Sequence, residues 1–219
     1  MGISKIEKPY YLDGADWTQI NTYFTGIHKD WELEEFDDFK SKVKDYLRIE
    51  QRNRCCYCKK ILHYDKKEVD IEHIIPKSRR PRFTFLNYNL ALSCPACNTT
   101  KSTNLPLVTA TRQTFPYKSA DYKIVHPYFD YYFQEIEIIK DIFIKSKGTK
   151  GDWTIEKCGL DTMEKAKDKI MDLMMTRQLK KDDIHNLLIQ LTLKVANPNI
   201  LNVILGIIDD IKNRVFIIH

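Results

Sequence analysis

Two closely spaced cysteine pairs constrain this sequence more than any other feature. The pairs are Cys55-Cys56-Tyr57-Cys58 and Cys94-Pro95-Ala96-Cys97. This spacing lets both thiolates of a pair reach one ion, and four thiolates complete a tetrahedral zinc site with Zn–S distances of about 2.3 Å. A site with four protein ligands has no open coordination position. We therefore expect a structural zinc ion on Cys55, Cys58, Cys94 and Cys97, and its binding free energy would hold an irregular segment together.

The composition indicates a globular protein of the cytoplasm. The chain has 219 residues, 43% of them hydrophobic, and its few glycines and prolines form no low-complexity tract, which favours a packed core over disorder. The first residues lack the apolar stretch of a signal peptide, and the apolar run near residues 200–208 is too short to cross a membrane. In a reducing compartment, six cysteines favour metal binding over a disulfide framework.

Positive charge is concentrated around the cysteine pairs. Residues 51–102 contain eleven basic and four acidic side chains, a local charge of +7, whereas the whole chain carries +5. Residues 32–50 have the opposite balance, with seven acids and four bases. A basic face of this kind suits a polyanion such as nucleic acid. An ordinary solvated surface has the same charge pattern, so charge alone does not decide between them.

Hydrophobic periodicity predicts an α+β fold with a small zinc-stapled core, helices on both sides and a β-hairpin. Residues 32–49 have the apolar spacing of a packing helix. Residues 136–144 and 153–155 are predicted to pair as a hairpin across the turn-forming residues 147–151. Asp161 and Glu164 form a capping-box signature before a helix, and two more helices are expected near 182–195 and 199–213. We divide the chain into an N-terminal helical flank (1–50), a zinc-containing core (51–104) and a hairpin with a C-terminal helical region (105–219).

A short strand lies between the two cysteine pairs and ends at a histidine. It is contained in Val69-Asp70-Ile71-Glu72-His73. Strand alternation places Val69 and Ile71 on the buried side, with Asp70 and Glu72 on the other side. A histidine beside a carboxylate, enclosed by a zinc-held loop and basic residues, is typical of a hydrolytic site. A lone histidine is more often structural.

These residues resemble the HNH endonuclease family, in the branch whose motif lies within a four-cysteine zinc site. The resemblance rests on Glu72-His73-Ile74-Ile75-Pro76 and on the stretch from Asn89 to Lys101, Asn-Leu-Ala-Leu-Ser-Cys-Pro-Ala-Cys-Asn-Thr-Thr-Lys. It covers residues 55–102, about a quarter of the chain. It implies a ββα-metal core that hydrolyses phosphodiester bonds of nucleic acid, most simply DNA, with Mg²⁺ or Mn²⁺ as catalytic cofactor.

The resemblance also implies roles for individual residues. His73 matches the general base that deprotonates the attacking water. Glu72 and Asn98 match the ligands of the catalytic divalent cation, although the family usually has Asp or His at the position of Glu72. Asn89 matches the residue that orients the imidazole of the base. Asp70 either supports the cation site or is a solvated strand residue.

Basic side chains near this strand are expected to contact the phosphates of the substrate. Lys101 matches a basic residue that commonly follows the family motif. The others belong to a loop where a substrate strand would pass, and a solvated loop is their alternative interpretation. The full set is Lys77, Arg79, Arg80, Arg82 and Lys101.

Two other functions remain compatible with the sequence. A zinc-ribbon module that binds nucleic acid without cutting it would need the four cysteines and the basic surface, but not Glu72, His73, Asn89 or Asn98. A structural partner in a larger assembly would use mainly the flanking helices. Within the HNH family, the size and helical flanks resemble effector nucleases of bacterial anti-phage systems such as Septu or retron-linked modules, which implies an ATPase partner protein.

Overall fold

The structure is a computed structural model that describes residues 3–62, 69–177, 181–192 and 198–212. Within these ranges, no helix combines the length and the apolar composition needed to cross a bilayer. The strands are β1 (Asp70–His73), β2 (Leu90–Ser93), β3 (Ile136–Ile139) and β4 (Phe143–Ser146). The α-helices are α1 (Gly14–Tyr23), α2 (Asp37–Glu50), α3 (Pro95–Lys101), α4 (Tyr132–Glu135), α5 (Thr149–Cys158), α6 (Met163–Arg177), α7 (Lys181–Thr192) and α8 (Pro198–Lys212).

The fold class is α+β, as predicted, with two separate antiparallel strand pairs among helices. The chain forms two compact units. The first comprises Met1–Glu137 and Ser146–Gly159, and the second comprises Ile138–Lys145 and Leu160–His219. The N-terminal flank and the zinc-containing segment therefore fold together in one unit.

Helix α2 packs its apolar stripe into the core of the first unit. Phe39, Val43 and Leu47 recur every four residues and are fully buried, as expected for one face of an α-helix. The helix begins later than the predicted residue 32, because residues 28–32 and 34–36 form two 3₁₀ turns. Just after the helix, the buried Gln51 side chain donates to the carbonyl of Leu92 and accepts from its amide. The end of α2 is thereby fixed to β2.

The zinc-containing segment forms a β1–β2–α3 unit. The strands β1 and β2 pair antiparallel, with His73 opposite Leu90 and Asp70 opposite Ser93. Helix α3 starts directly after β2, with Pro95 in its first turn and Cys94 as its N-cap. This short helix packs against β1. The arrangement is the two-strand, one-helix core that the sequence predicted.

The predicted hairpin exists, but its turn was placed wrongly. Strand β3 turns back into β4 at Lys140 and Asp141, which both have positive φ values, 53° and 62°. Two consecutive left-handed residues suit the right-handed twist of a tight hairpin. Residues 147–151 instead lead into α5, which contains residues 153–155. This turn was not predicted because neither residue with positive φ is a glycine, the residue that usually marks a tight hairpin turn.

The second unit is built on three amphipathic helices. Its core joins the hairpin residues Ile142 and Phe143 to the buried faces of α6, α7 and α8, including Ile170, Leu188 and Ile204. The apolar stripe of α6 therefore packs in the core of the second unit. The capping residue is Thr162, whose hydroxyl accepts from the Lys165 amide, rather than Asp161. Residues 193–195 and 213 of the two predicted C-terminal helices lie outside the described residues.

Candidate active site and zinc centre

Four buried cysteine thiols meet in the first unit. The Sγ atoms of Cys55, Cys58, Cys94 and Cys97 all lie within 4.8 Å of one another, and those of Cys58 and Cys94 are 3.8 Å apart. A tetrahedron of sulfur ligands at about 2.3 Å from zinc has edges of about 3.8 Å. The thiols therefore fit a zinc site. Cys56 is buried but lies outside this cluster, in agreement with the choice of Cys55.

Local geometry brings the two cysteine pairs together. The first pair lies in a tight turn in which the Cys55 amide donates to Lys60 and the Lys59 amide donates to Cys55. The Cys56 amide donates to the carbonyl of Leu92 in β2. The second pair brackets the start of α3, immediately after the same strand. Strand β2 thus joins the two halves of the site.

Strand β1 does not follow the predicted alternation of burial. Val69 is buried as predicted, but Glu72 is 2% exposed and Ile71 is partly exposed. Glu72 is buried because Tyr57 and Lys101 cover it. The Tyr57 hydroxyl donates to Glu72 Oε1 over 3.1 Å, and Lys101 Nζ lies 2.5 Å from the same oxygen. Burial raises the pKa of Glu72, whereas the ammonium and the hydroxyl act in the opposite direction.

Lys101 is a buried counter-ion of Glu72, and its contact with substrate phosphate stays a prediction. Its side chain is 1% exposed, and its ammonium also donates to the carbonyl of His73 over 3.1 Å. A buried carboxylate needs such a partner because an unpaired charge is costly to remove from water. Lys101 therefore holds β1 through two consecutive residues, Glu72 and His73.

His73 lies at the end of β1 with its ring held on two sides. Its Nε2 is 3.0 Å from the carbonyl oxygen of Thr84, which assigns the proton to Nε2 and leaves Nδ1 as the basic nitrogen. The edge-on indole of Trp31 packs against the ring, with centroids 4.6 Å apart. Burial, followed by the nearby ammonium of Lys77, lowers the pKa of His73 to about 3. The imidazole is therefore neutral at physiological pH, as a general base must be.

An NMR titration tests this state of the imidazole. In ¹⁵N-labelled protein, the His73 ring is expected to stay neutral, with its proton on Nε2, from pH 8 to below pH 5, because the folded pKa is about 3. Protonation is disfavoured in the folded state relative to the unfolded state, so this group's contribution to stability falls as pH drops from about 6.5 towards 3. A ring that titrates with a midpoint between pH 6 and 7 would contradict the arrangement.

Asn89 is hydrogen-bonded to the loop that carries Thr84. Its side chain is fully buried and donates to the carbonyls of Ile75 and Phe83, both over 3.0 Å, and it accepts from the Ile75 amide over 2.7 Å. Phe83 directly precedes Thr84, whose carbonyl contacts the imidazole. The orienting role of Asn89 stays a prediction. The hydrogen bond to Phe83 connects Asn89 to the residue before Thr84.

Asn98 and Asp70 form a pair beside His73. The Asn98 side chain donates from Nδ2 to Asp70 Oδ2 over 2.9 Å, so its oxygen is left to act as a ligand. Of the two interpretations of Asp70, this contact favours support of the cation site. Asp70, Glu72 and Asn98 offer hard oxygen ligands of the kind that Mg²⁺ and Mn²⁺ prefer.

One cleft of about 540 Å³ is lined by these groups. Its floor includes His73 and the three oxygen-bearing residues Asp70, Glu72 and Asn98. The other lining residues come from the N-terminal flank, from the loop after β1 and from the residues that follow α3. They are His28, Trp31, Glu32, Lys40, Lys44, Ile71, Pro76, Lys77, Ser78, Ser102 and Thr103.

The arginine loop contributes little to this cleft. The Arg80 guanidinium donates to the carbonyls of Ala110 and Arg112, and Arg82 donates to the carbonyl of Gln113. Both side chains thus hold the neighbouring loop. Arg79 is exposed and does not line the cleft. Of the five predicted phosphate contacts, Lys77 is the one that lines it.

His126 has a structural role outside the cleft. It is fully buried, stacks on the Phe129 ring with centroids 4.2 Å apart, and accepts from the Tyr128 amide through Nδ1. Its own amide donates to Asp130, which pairs with Lys150. It does not line the cleft.

The matched segment coincides with the zinc site and the strands that carry His73. A family model described as HNH endonuclease matches residues 55–104. Residues 55–104 are therefore similar to HNH endonucleases, and this matched segment is called the HNH domain below. This domain contains the four cysteines, His73 and Asn98, whereas Trp31, Lys40 and Lys44 lie outside it.

Two curated relatives support the assignment. The chain is 38% identical over 69 residues to "Retron Vc95 putative HNH endonuclease" of Vibrio cholerae serotype O1 biovar El Tor, across 30% of this chain and 33% of that protein. It is 26% identical over 126 residues to "Septu protein PtuB" of Bacillus thuringiensis, across 58% of this chain and 44% of that protein. The chain thus spans less than half the length of either relative.

The sequence did not point to three residues, one outside and two inside the HNH domain, that contact His73 or Glu72. Trp31 packs on the imidazole from outside the motif, and its sequence neighbours give no signal of that contact. The Tyr57 hydroxyl reaches Glu72 from within the first cysteine pair, a position where the zinc ligands dominate the pattern. Thr84 acts through its backbone carbonyl, which residue identity does not reveal.

Proposed function

We propose that this protein is a metal-dependent endonuclease of the cytoplasm that hydrolyses phosphodiester bonds of DNA. The observation that carries the proposal is the position of a neutral His73, with Asp70, Glu72 and Asn98, on one solvent-accessible cleft inside an HNH domain. A module that only binds nucleic acid needs no such base beside a set of oxygen ligands.

His73 supplies the base for this reaction. With the proton on Nε2 held by Thr84, Nδ1 takes a proton from a water molecule in the cleft as that water attacks the phosphorus. The buried ring cannot rotate freely, because Trp31 packs against its other side. A fixed imidazole orients the water, and so lowers the entropic cost of reaching the transition state.

The oxygen ligands on the floor of the cleft fit a hard divalent cation. Glu72 and Asn98 would hold Mg²⁺ or Mn²⁺, and Asp70 would keep the Asn98 amide turned so that its oxygen faces the ion. When bound, the ion supplies positive charge to the phosphate oxygens and the leaving group. Lys101 keeps Glu72 in place through its ion pair.

A role in bacterial anti-phage defence extends this proposal. It is supported by the names of the two relatives, which belong to a retron and to Septu, and by the resemblance of the helical flanks to effectors of such systems. An ATPase partner is part of the same proposal, because the resemblance implies one.

Cation-dependent cleavage tests the proposed activity. Wild-type protein with its zinc retained is incubated with supercoiled plasmid and with single-stranded DNA, in Mg²⁺, in Mn²⁺ and without added divalent cation. We expect cleavage only when the cation is present, because the water and leaving group need its charge. Binding without cleavage in every condition would instead favour a zinc-ribbon binding module.

A further inference from the structure

One wall of the cleft comes from the N-terminal flank, outside the HNH domain. Lys40 and Lys44 on α2 both line it. Each follows a buried residue of the apolar stripe, Phe39 or Val43, by one position, so the two lysines project from the same adjacent face of the helix. The periodicity of the sequence predicted only a packing role for this helix. Its buried stripe accounts for one face, and the face beside it borders the candidate active site.

We propose that Lys40 and Lys44 bind the backbone phosphates of the DNA strand that enters the cleft. This inference rests on the proposed function. The two lysines are four residues apart, so they are separated by about 6 Å along the helix axis and point the same way. A strand whose scissile phosphate reaches His73 on the floor must pass this wall, and the lysines meet its flanking phosphates there.

The ion pairs of Lys40 and Lys77 do not prevent phosphate binding. Lys40 pairs with Asp37 over 2.6 Å, and the Asp37 side chain is 69% exposed. Lys77, on the opposite loop, pairs with Glu32 over 3.0 Å, and Glu32 is 70% exposed. Such solvated carboxylates hold a lysine weakly. A phosphodiester can therefore replace them, while the released acids remain hydrated.

The contacts of the other basic residues strengthen the assignment of phosphate binding to α2. Arg80 and Arg82 donate hydrogen bonds to backbone carbonyls of residues 110–113. Lys101 is buried against Glu72. Lys40, Lys44 and Lys77 are the lysines among the described residues that line the cleft. Two of these three belong to α2.

Salt-dependent DNA binding tests the inference directly. Fluorescence anisotropy is measured with labelled single-stranded and duplex oligonucleotides on a His73→Ala background, so that cleavage does not consume the probe. The test variant is Lys40→Gln/Lys44→Gln. The matched control, Lys118→Gln/Lys123→Gln, removes the same charge from two exposed lysines outside the cleft. A Lys40→Arg/Lys44→Arg variant keeps the charge.

We expect the test variant to bind about tenfold or more weakly, with the slope of log K against log salt reduced by about 1.4 for single strands and about 1.8 for duplex, because two counterion-releasing contacts are lost. The control and the arginine variant should keep the parental slope. A test variant that keeps the slope and affinity of the control would overturn the inference while the proposed function stands. Failure of the His73→Ala protein itself to bind either probe would overturn both.

Discussion

Loss of the zinc ion is expected to unfold the HNH domain, and this is the largest effect that the structure predicts. Structural zinc contributes on the order of 10 kcal/mol to the folding of small metal-stabilised domains, comparable to the whole stability of a typical protein. The β1–β2–α3 unit has only two four-residue strands and one seven-residue helix. With the thiols unbound, the first cysteine pair keeps the hydrogen bond from the Cys56 amide to Leu92 of β2 but loses its link to the second pair.

Two cysteine variants in the same turn separate zinc binding from the loss of a thiol. Cys58→Ser should lose zinc, and its near-UV circular dichroism should show no cooperative thermal transition. Cys56→Ser should retain one zinc per chain, because Cys56 lies outside the cluster. Removal of Mg²⁺ or Mn²⁺ alone should leave the fold intact. Equal loss of structure after removal of either metal would contradict the separate roles assigned to them.

The sequence predicted the parts of the site that depend on local spacing. Four ligands at C-x2-C spacing specify one ion, and they form the observed cluster. The apolar stripe of α2 also follows from local periodicity. Periodicity tells which face of a helix is buried, however, and not what lies beside the neighbouring face. The position of Lys40 and Lys44 on the cleft could therefore not be read from α2 alone.

Long-range contacts account for the other differences. Lys101 and Glu72 are 29 positions apart in the sequence, and only the packing of α3 against β1 makes them a buried ion pair. Arg80 and Arg82 are used to hold backbone carbonyls about thirty residues away. A cluster of basic residues in the sequence predicts a polyanion partner through its charge, but it does not tell which of the side chains remain available to that partner.

Replacement of His73 by alanine is expected to slow DNA cleavage by about 10²–10⁴-fold, the usual contribution of a positioned general base. DNA binding should be largely retained, because the imidazole is 7% exposed and carries no charge at neutral pH. The neighbours that orient the ring, Trp31 and Thr84, are held by other contacts. The variant should therefore fold and keep its zinc. His185→Ala, a histidine of the second unit outside the cleft, serves as the control and should cut at the wild-type rate.

Single-turnover cleavage by wild-type and His73→Ala protein tests whether His73 is the general base. Both proteins are brought to the same fraction of bound DNA and zinc content, and the reaction is started with Mg²⁺ or Mn²⁺. The account predicts cleavage by the wild-type protein and a rate at least a hundredfold lower in the variant, as expected for the loss of a general base. Cleavage by His73→Ala at the wild-type rate would contradict it, because the reaction would then not use the base that the HNH domain presents to the cleft.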